Sequence, residues 1–254
     1  MPAAIVLAGG GPEPVLAPGL PNKAFLSVGG LPLVVRVTQA LRQAASVDRI
    51  LVVGPPDDLA ALLDHAIDIV PGQATMMDNV TAAITRLSGA RRALVIAADL
   101  PLLTGEAVDR FVALCTGDAG CFYPIVPQTA IESRFPTARK TYVQLTDGVF
   151  CGGSAMLFDP RLLDRVRPLV ERLVAGRKKP WLLAQLVGWS TVMKFAAHTL
   201  SIADIEAKVR EATGFLVRAV ILDGPELALD VDAERPENLR ALRAALEPPA
   251  ASPS

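Results

Sequence analysis

Apolar and polar positions follow two rhythms along the first half of the chain, and these rhythms predict alternating strands and helices. Four short apolar runs have the length of buried β-strands, and a glycine, a proline or a charged residue follows soon after each. The predicted strands are Ala4–Leu7, Arg49–Gly54, Ile67–Val70 and Arg92–Ala98. Helical spacing predicts helices over Leu31–Ala45, Asp57–His65, Asp78–Leu87 and Thr104–Cys115, with Asp78 and Thr104 as N-caps. This alternation predicts an α/β fold whose parallel sheet is covered by helices on both faces.

The second half of the chain has a less regular pattern. It predicts strands over Cys121–Ile125, Thr141–Leu145, Ser154–Phe158, Val217–Leu222 and Leu227–Val231. Helices are predicted over Pro160–Ala175, Pro180–Ala197, Ile202–Thr213 and Pro236–Leu246. No change in composition marks a boundary, so we expect one domain over residues 1–247 with a helical insertion around 160–213. The Pro, Ala and Ser residues of 248–254 predict a disordered tail.

Composition narrows the classes of protein to consider. A net charge of −1 argues against a non-specific nucleic-acid binder, and no apolar stretch is long enough for a membrane span. The N-terminal apolar run lacks the basic start of a signal peptide. Three cysteines without CxxC spacing predict reduced thiols, and hence a cytoplasmic protein. The expected partners are small molecules, and the apolar helix around Trp189 is compatible with a homodimer.

A turn rich in glycine follows the first predicted strand, and such a turn allows a ligand to approach the backbone closely. Gly9, Gly10 and Gly11 follow Leu7-Ala8, and Lys23 comes after a proline-rich loop. Glycine lets the chain turn sharply and exposes N–H groups to a phosphate or a base. A lysine placed beyond such a loop can supply a mobile positive charge.

Two acidic points complete the candidate chemistry. Asp99 follows a predicted strand, and Pro101 disfavours helical backbone at Leu100, so the chain turns there and presents the carboxylate. Asp99 is then either a cation ligand or a brace of the next loop. Asp230 and Asp232 lie two residues apart, which would put them on one face of a strand. Either acid could join Asp99 around Mg²⁺, or Asp232 could cap the helix near Pro236.

These segments together resemble the nucleotidyltransferase superfamily, and in particular the MobA-like NTP transferases. The resemblance rests on Leu7–Gly10, Pro21-Asn22-Lys23, Asp99-Leu100-Pro101 and Asp232 followed by Pro236–Leu239, and it extends over roughly Met1 to Leu246. It implies a three-layer α/β/α, Rossmann-like GT-A fold with a mostly parallel mixed sheet. It also implies transfer of an NMP from an NTP to a small phosphorylated acceptor, with release of pyrophosphate.

The resemblance further implies a role for each matching residue. Lys23 would contact the phosphates, and Asp99 and Asp232 would bind Mg²⁺ or Mn²⁺, with Asp230 as the substitute for Asp232. Base, ribose and phosphates would be contacted by Leu7, Ala8, Gly9, Gly10, Gly11, Lys23, Gly72, Thr75, Asn79 and Ala98. Gly152, Gly153 and Ser154 would contact the acceptor.

The chain departs from the family pattern in its first loop. The family has an arginine shortly after the glycines, whereas this chain has no basic residue between Gly11 and Lys23. Loss of a guanidinium beside the triphosphate is expected to weaken stabilisation of the transition state.

Two other functions stay open at this point. A nucleotide-sugar glycosyltransferase of GT-A type has a similar fold, but such enzymes carry Asp-x-Asp where this chain has Asp99-Leu100-Pro101. The missing loop arginine also suits a nucleotide-binding module without turnover. An NAD-binding Rossmann protein fits less well, because the glycine loop is not G-x-G-x-x-G.

Overall fold

A central mixed β-sheet organises the computed structural model of the protein, which describes residues 1–87, 89–176 and 188–247. Its first four parallel strands are β1 (Ala3–Leu7), β4 (Arg49–Gly54), β5 (Asp68–Pro71) and β6 (Ala93–Ala97). They alternate with helices α1 (Leu33–Gln43), α2 (Pro56–Ala60), α3 (Met76–Thr85) and α4 (Gly105–Leu114). The four strands and four helices predicted for this half are therefore present.

The second half of the chain adds the other strands of the sheet and further helices. The strands are β7 (Cys121–Pro127), β8 (Val143–Leu145), β9 (Gly148–Gly152), β10 (Ala155–Phe158) and β11 (Val217–Ile221). The helices are α5 (Gln128–Glu132), α6 (Leu163–Gly176), α7 (Trp189–Ala196), α8 (Ile202–Thr213) and α9 (Pro236–Leu246). Short 3₁₀ turns occupy Lys23–Phe25, Pro160–Leu162 and Pro225–Leu227.

The strand order explains why the sheet is mixed. It runs β5-β4-β1-β6-β10-β7-β9-β8, and β11 pairs with β7. Strand β10 runs antiparallel between β6 and β7. Strand β1 instead pairs in parallel with both β4 and β6, and β11 pairs in parallel with β7. The fold prediction of a three-layer α/β protein with a mostly parallel mixed sheet is confirmed.

Both faces of the sheet are buried. Consecutive residues of β1 alternate between two apolar clusters, because side chains of a strand point to opposite faces. Ala4 and Val6 pack in the cluster that contains α1 and α4, and Ala3 and Ile5 pack in the cluster that contains α3. Strands buried on both faces produce the continuous apolar runs of the sequence.

Several predicted boundaries were wrong, each for a local reason. Leu31–Pro32 (β3) pairs with Ser27–Val28 (β2) around Gly29 and Gly30, whose φ values are +60° and +76°, so α1 begins at Leu33. Thr75 caps α3 by accepting a hydrogen bond from the backbone N–H of Asp78, so Asp78 lies inside the helix rather than at its cap. Thr104 caps α4 as predicted.

The predicted strand over Leu227–Val231 was also wrong, while β9 and α5 were not predicted. After the turn at Pro225–Leu227, the backbone N–H of Val231 donates to Asp99 O at 3.1 Å instead of joining a ladder. The tail at 248–254 and much of the predicted helix Pro180–Ala197 lie outside the described residues. No helix among the described residues is long and apolar enough to cross a membrane.

Candidate active site

The glycine turn and Asp99 lie next to each other because β1 and β6 are neighbouring parallel strands. Leu7 pairs with Ala97, and Ala98 N donates to Leu7 O at 3.2 Å, so Ala8-Gly9-Gly10 and Asp99 leave the sheet at the same edge. Ligands of open α/β sheets bind beyond the carboxyl ends of the strands. This edge of the sheet is therefore the candidate active site.

Asn22 fixes the shape of the glycine turn. Its buried side chain donates from Nδ2 to Ala8 O at 2.9 Å and to Gly10 O at 3.1 Å. Its Oδ1 accepts from Ala24 N at 2.8 Å, which caps the 3₁₀ turn that carries Lys23. One amide thus connects the turn to Lys23. The sequence showed Asn22 only as part of a motif, because the two carbonyls of the glycine turn that it contacts lie 12 and 14 residues away.

Replacing Asn22 by alanine is expected to lower the free energy of unfolding by about 2–3 kcal/mol, since two backbone carbonyls lose a buried donor. Urea denaturation measures this loss. Ser133→Ala is the control, because the Ser133 hydroxyl makes a long, exposed hydrogen bond of 3.4 Å. A change below about 0.5 kcal/mol for Asn22→Ala would show that the amide does not hold the turn.

Asn79 packs against the glycine turn from α3. The side chain is buried, and its Oδ1 accepts from Gln73 N at 2.6 Å. A Cβ on Gly9 would lie 3.1 Å from Asn79 Nδ2, so glycine allows this close approach. Gly72 N donates to Gly54 O at 2.9 Å. The predicted base-contacting residues Gly72, Thr75 and Asn79 therefore lie on one stretch of chain that contacts the turn through Asn79.

Lys23 joins the glycine loop to Asp99. Its Nζ lies 2.7 Å from Asp99 Oδ2 and donates to Val231 O at 3.0 Å. The Asp99 side chain is 10% exposed and that of Lys23 is 29% exposed, so the pair is partly shielded from water. Asp99 Oδ1 is buried and has no hydrogen-bond partner in the part of the chain that the structure describes. A buried carboxylate oxygen without a partner is costly unless a ligand satisfies it.

The carboxylates around Lys23 set its charge. Burial opposes the charged form, but Asp99, Glu13 and Asp230 together outweigh burial and raise the pKa of Lys23 above its usual value. Burial raises the pKa of Asp99, Lys23 opposes that rise and the charge of Asp230 adds to it. Glu13 lies in the loop between Gly11 and Lys23, where the resemblance implied an arginine, and its Oε2 is buried with no hydrogen-bond partner among the described residues. The loop therefore adds a negative charge to the site.

Asp230 interacts with this pair, and Asp232 is engaged elsewhere. The charge of Asp230 acts on both Lys23 and Asp99, and its Oδ1 lies 2.8 Å from Lys140 Nζ. Asp232 Oδ1 accepts from Glu234 N at 3.0 Å, and its other oxygen lies 3.7 Å from Arg235. The site thus brings Lys23, Asp99 and Asp230 together. Lys140 was missed, because 90 residues separate it from Asp230 and no motif marks it.

The predicted acceptor residues lie beside the same edge, and their backbone groups hold the sheet together. Ser154 O accepts from Ala97 N at 2.9 Å, and Ser154 N donates to Leu227 O at 2.7 Å. A Cβ on Gly152 would lie 2.5 Å from the Tyr123 hydroxyl oxygen, and one on Gly153 would lie 2.8 Å from Pro124 Cγ. Close packing alone accounts for both glycines. Contact of these residues with an acceptor stays a prediction.

The acidic side chains fit a cation that shares its ligands with phosphate. Within the described ranges, no three His, Cys, Asp or Glu side chains gather into a site able to hold a metal. Mg²⁺ is usually bound by one or two carboxylates together with substrate phosphates and waters. The unpartnered Asp99 Oδ1 and the nearby Asp230 carboxylate suit that arrangement.

A mixed α/β sheet with a glycine turn, a lysine and carboxylates at one edge suits a nucleotidyltransferase, but a fold alone does not assign a function. The family model of the MobA-like NTP transferase domain matches residues 4–185. The chain therefore belongs to the MobA-like NTP transferase family. The predictions of the family and of a nucleotidyltransferase enzyme are confirmed.

Three similar proteins resemble the chain to different degrees. A structure described as a hypothetical transferase from Thermus thermophilus is 38% identical, with a TM-score of 0.83, and the match covers 94% of this chain and 99% of that one. A 2-C-methyl-D-erythritol 4-phosphate cytidylyltransferase from Frankia casuarinae is 35% identical over 129 residues. That match spans 49% of this chain and 48% of the relative, so the chain aligns with about half of its length.

The third relative shows the fold alone. A 4-diphosphocytidyl-2C-methyl-D-erythritol synthase from Anaerococcus prevotii is 14% identical, with a TM-score of 0.58. The match covers 96% of this chain and 95% of that one. At this level of identity, the likeness is one of architecture.

Proposed function

We propose that the protein transfers an NMP from an NTP to a small phosphorylated acceptor and releases pyrophosphate, with Mg²⁺ or Mn²⁺ as cofactor. The observation that carries this proposal is the Lys23–Asp99 pair beside Asp230, at the edge where the glycine turn ends. The relative named as a cytidylyltransferase makes CTP the first donor to test.

Asp99 and Asp230 would hold the cation, in place of Asp99 and Asp232. Support for Asp230 comes from its charge, which acts on both Asp99 and Lys23, and from the next residue, Val231, whose N–H donates to Asp99 O at 3.1 Å. When bound, the cation would neutralise phosphate charge and orient the two substrates.

Lys23 would handle the triphosphate. An oxygen of the acceptor phosphate forms a bond to the α-phosphorus, the bond from that phosphorus to the bridging oxygen breaks, and pyrophosphate leaves with the electron pair. Such transfer depends on alignment and on neutralised charge. An acceptor phosphate is already ionised at pH 7, so no general base is needed. Lys23 Nζ would stabilise the charge that grows on the leaving group.

A thermal-shift series with CTP, GTP, UTP and dTTP, each with and without MgCl₂, tests the donor. We expect one nucleotide to raise the melting temperature only when MgCl₂ is present, because a ligand that binds the folded state stabilises it by mass action. Pyrophosphate release should then follow when phosphorylated acceptors are added. The control is Asp99→Asn, in which we expect the magnesium-dependent shift to disappear.

Two outcomes would favour the other functions. Release of a nucleoside diphosphate from a nucleotide sugar, without pyrophosphate release from any NTP, would indicate a glycosyltransferase. Nucleotide binding without turnover, across a broad panel of phosphorylated acceptors, would indicate a nucleotide-binding module. Either result would overturn the proposed transfer.

A further inference from the structure

A second lysine–carboxylate pair lies beside the first. Lys140 Nζ lies 2.8 Å from Asp230 Oδ1, and the Lys140 side chain is 9% exposed, against 29% for Lys23. An ammonium group so enclosed requires a counter-charge, because its desolvation is otherwise costly. Lys140 is therefore held against Asp230 more tightly than a surface lysine would be.

The residues on both sides of Lys140 are hydrogen-bonded to the segment that follows Asp230, Arg139 through its backbone and Thr141 through its side chain. Arg139 N donates to Asn238 Oδ1 at 2.7 Å, and Asn238 Nδ2 donates to Arg139 O at 3.0 Å. Asn238 lies fully buried in the first turn of α9. Arg235 also donates to the Thr141 hydroxyl at 2.7 Å. These contacts bring Lys140 to Asp230 from a fixed position.

Asp230 does not depend on Lys140 for its own backbone position. The next residue, Val231, donates its N–H to Asp99 O at 3.1 Å and accepts from Lys23 Nζ at 3.0 Å. Removing the Lys140 charge would therefore leave the Asp230 backbone in place beside Asp99. The main effect of the removal is electrostatic, because a positive charge next to a carboxylate opposes a cation that binds the same carboxylate.

We propose that Lys140 is a positioning residue that competes with the divalent cation for Asp230. The inference rests on the proposed function, in which Asp230 is a cation ligand. Lys140 keeps the Asp230 carboxylate ordered and its charge balanced, and so lowers the affinity of the site for a free divalent cation. The cation then binds tightly only together with the triphosphate, whose negative charges outweigh Lys140.

Titration of the full-length protein with Mn²⁺ alone, followed by electron paramagnetic resonance, tests this inference. We expect Lys140→Met to bind Mn²⁺ about tenfold more tightly than the wild type, since one positive charge is removed beside the ligand. Asp230→Asn should bind Mn²⁺ more weakly, and the double variant should lose the gain. A lysine with a merely structural role would leave the affinity unchanged or lower it.

Three further variants sharpen the comparison. Lys140→Arg keeps the charge and should bind Mn²⁺ within about threefold of the wild type. Lys140→Gln gives a second neutral variant with the same expected gain, should Lys140→Met fold poorly. Lys194→Met is the matched control, because Lys194 forms an exposed pair with Asp204 at 2.6 Å. The affinity of this variant for Mn²⁺ should equal that of the wild type.

The outcomes separate this inference from the proposed function. Unchanged or weaker Mn²⁺ binding by both Lys140→Met and Lys140→Gln, together with weaker binding by Asp230→Asn, would overturn the competition alone. A gain that persists in the double variant would also overturn it, since Lys140 would then act elsewhere. Unchanged Mn²⁺ binding by Asp230→Asn would show that Asp230 is not a cation ligand. The competition by Lys140 and the role of Asp230 in the proposed function would then both be wrong.

Discussion

Replacing Asp99 by asparagine is expected to lower the rate of nucleotidyl transfer by at least about a hundredfold while the fold persists, because a cation held by this carboxylate would contribute several kcal/mol to the transition state. Asparagine is nearly isosteric, and its amide can still accept a hydrogen bond from Lys23. The variant therefore removes the charge without opening a cavity. Steady-state release of pyrophosphate with the donor chosen by thermal shift measures the rate.

The control for Asp99→Asn is Asp64→Asn. Asp64 pairs with Arg42 at 3.0 Å on the exposed surface, so its loss should change neither rate nor stability appreciably. Circular dichroism and the melting temperature establish that both variants are folded. An Asp99→Asn rate within about threefold of the wild type would exclude Asp99 from the chemistry, because a metal ligand contributes more than that.

The sequence predicted the carboxylate and the glycine turn because both depend on local rules. Apolar runs mark the strands β1 and β6, and parallel neighbours end at one edge of a sheet. Pro101 marks the turn after Asp99. Both features follow from short runs of adjacent residues and from the common direction of the strands in a parallel sheet. The glycine turn and Asp99 could therefore be predicted from the sequence alone.

The choice between Asp230 and Asp232 depended on a strand that does not form. In a strand the two side chains would share a face and serve equally well. In the structure, Val231 N bonds to Asp99 O and not to a neighbouring strand, and the two aspartates have different partners. A hydrogen bond between distant residues leaves no periodic pattern in the sequence, so it could not be predicted. Lys140 was not predicted for the same reason, because its partner lies 90 residues along the chain.

The structure shows which charged residue occupies the loop that lacks the arginine. The sequence showed only that no basic residue stands between Gly11 and Lys23. In the structure Glu13 occupies this loop, and its charge acts on Lys23 together with the charges of Asp99 and Asp230. A triphosphate at this site would meet the added negative charge of Glu13, so we expect transfer to depend strongly on Lys23 and on a divalent cation.

Replacing Lys23 by methionine should lower kcat/KM for the nucleotide about a hundredfold and also destabilise the protein. The kinetic loss follows from the removal of the charge that faces the leaving group. The loss of stability, about 2–3 kcal/mol at pH 8, follows because Asp99 stays largely buried without its counter-ion. Part of the usual penalty for breaking a buried pair is relieved, since Lys23 is 29% exposed.

The destabilisation of Lys23→Met should depend on pH with a definite sign. Burial already raises the pKa of Asp99 in the folded protein, and loss of Lys23 raises it further. The folded variant therefore binds more protons than its unfolded chain, and its stability falls as pH rises through the folded pKa of Asp99. Urea denaturation at pH 5 and pH 8 should show the smaller loss at pH 5.

The double variant Lys23→Met/Asp99→Asn separates the two effects of Lys23. With no carboxylate left to bury, most of the lost stability should return. The rate of transfer should stay as low as in whichever single variant is the slower. If Lys23→Met were as stable as the wild type at both pH values and kept its affinity for the nucleotide, Lys23 would neither compensate Asp99 nor handle phosphate. The pair at 2.7 Å would then be incidental to the site, and the proposed transfer would need a different cationic group.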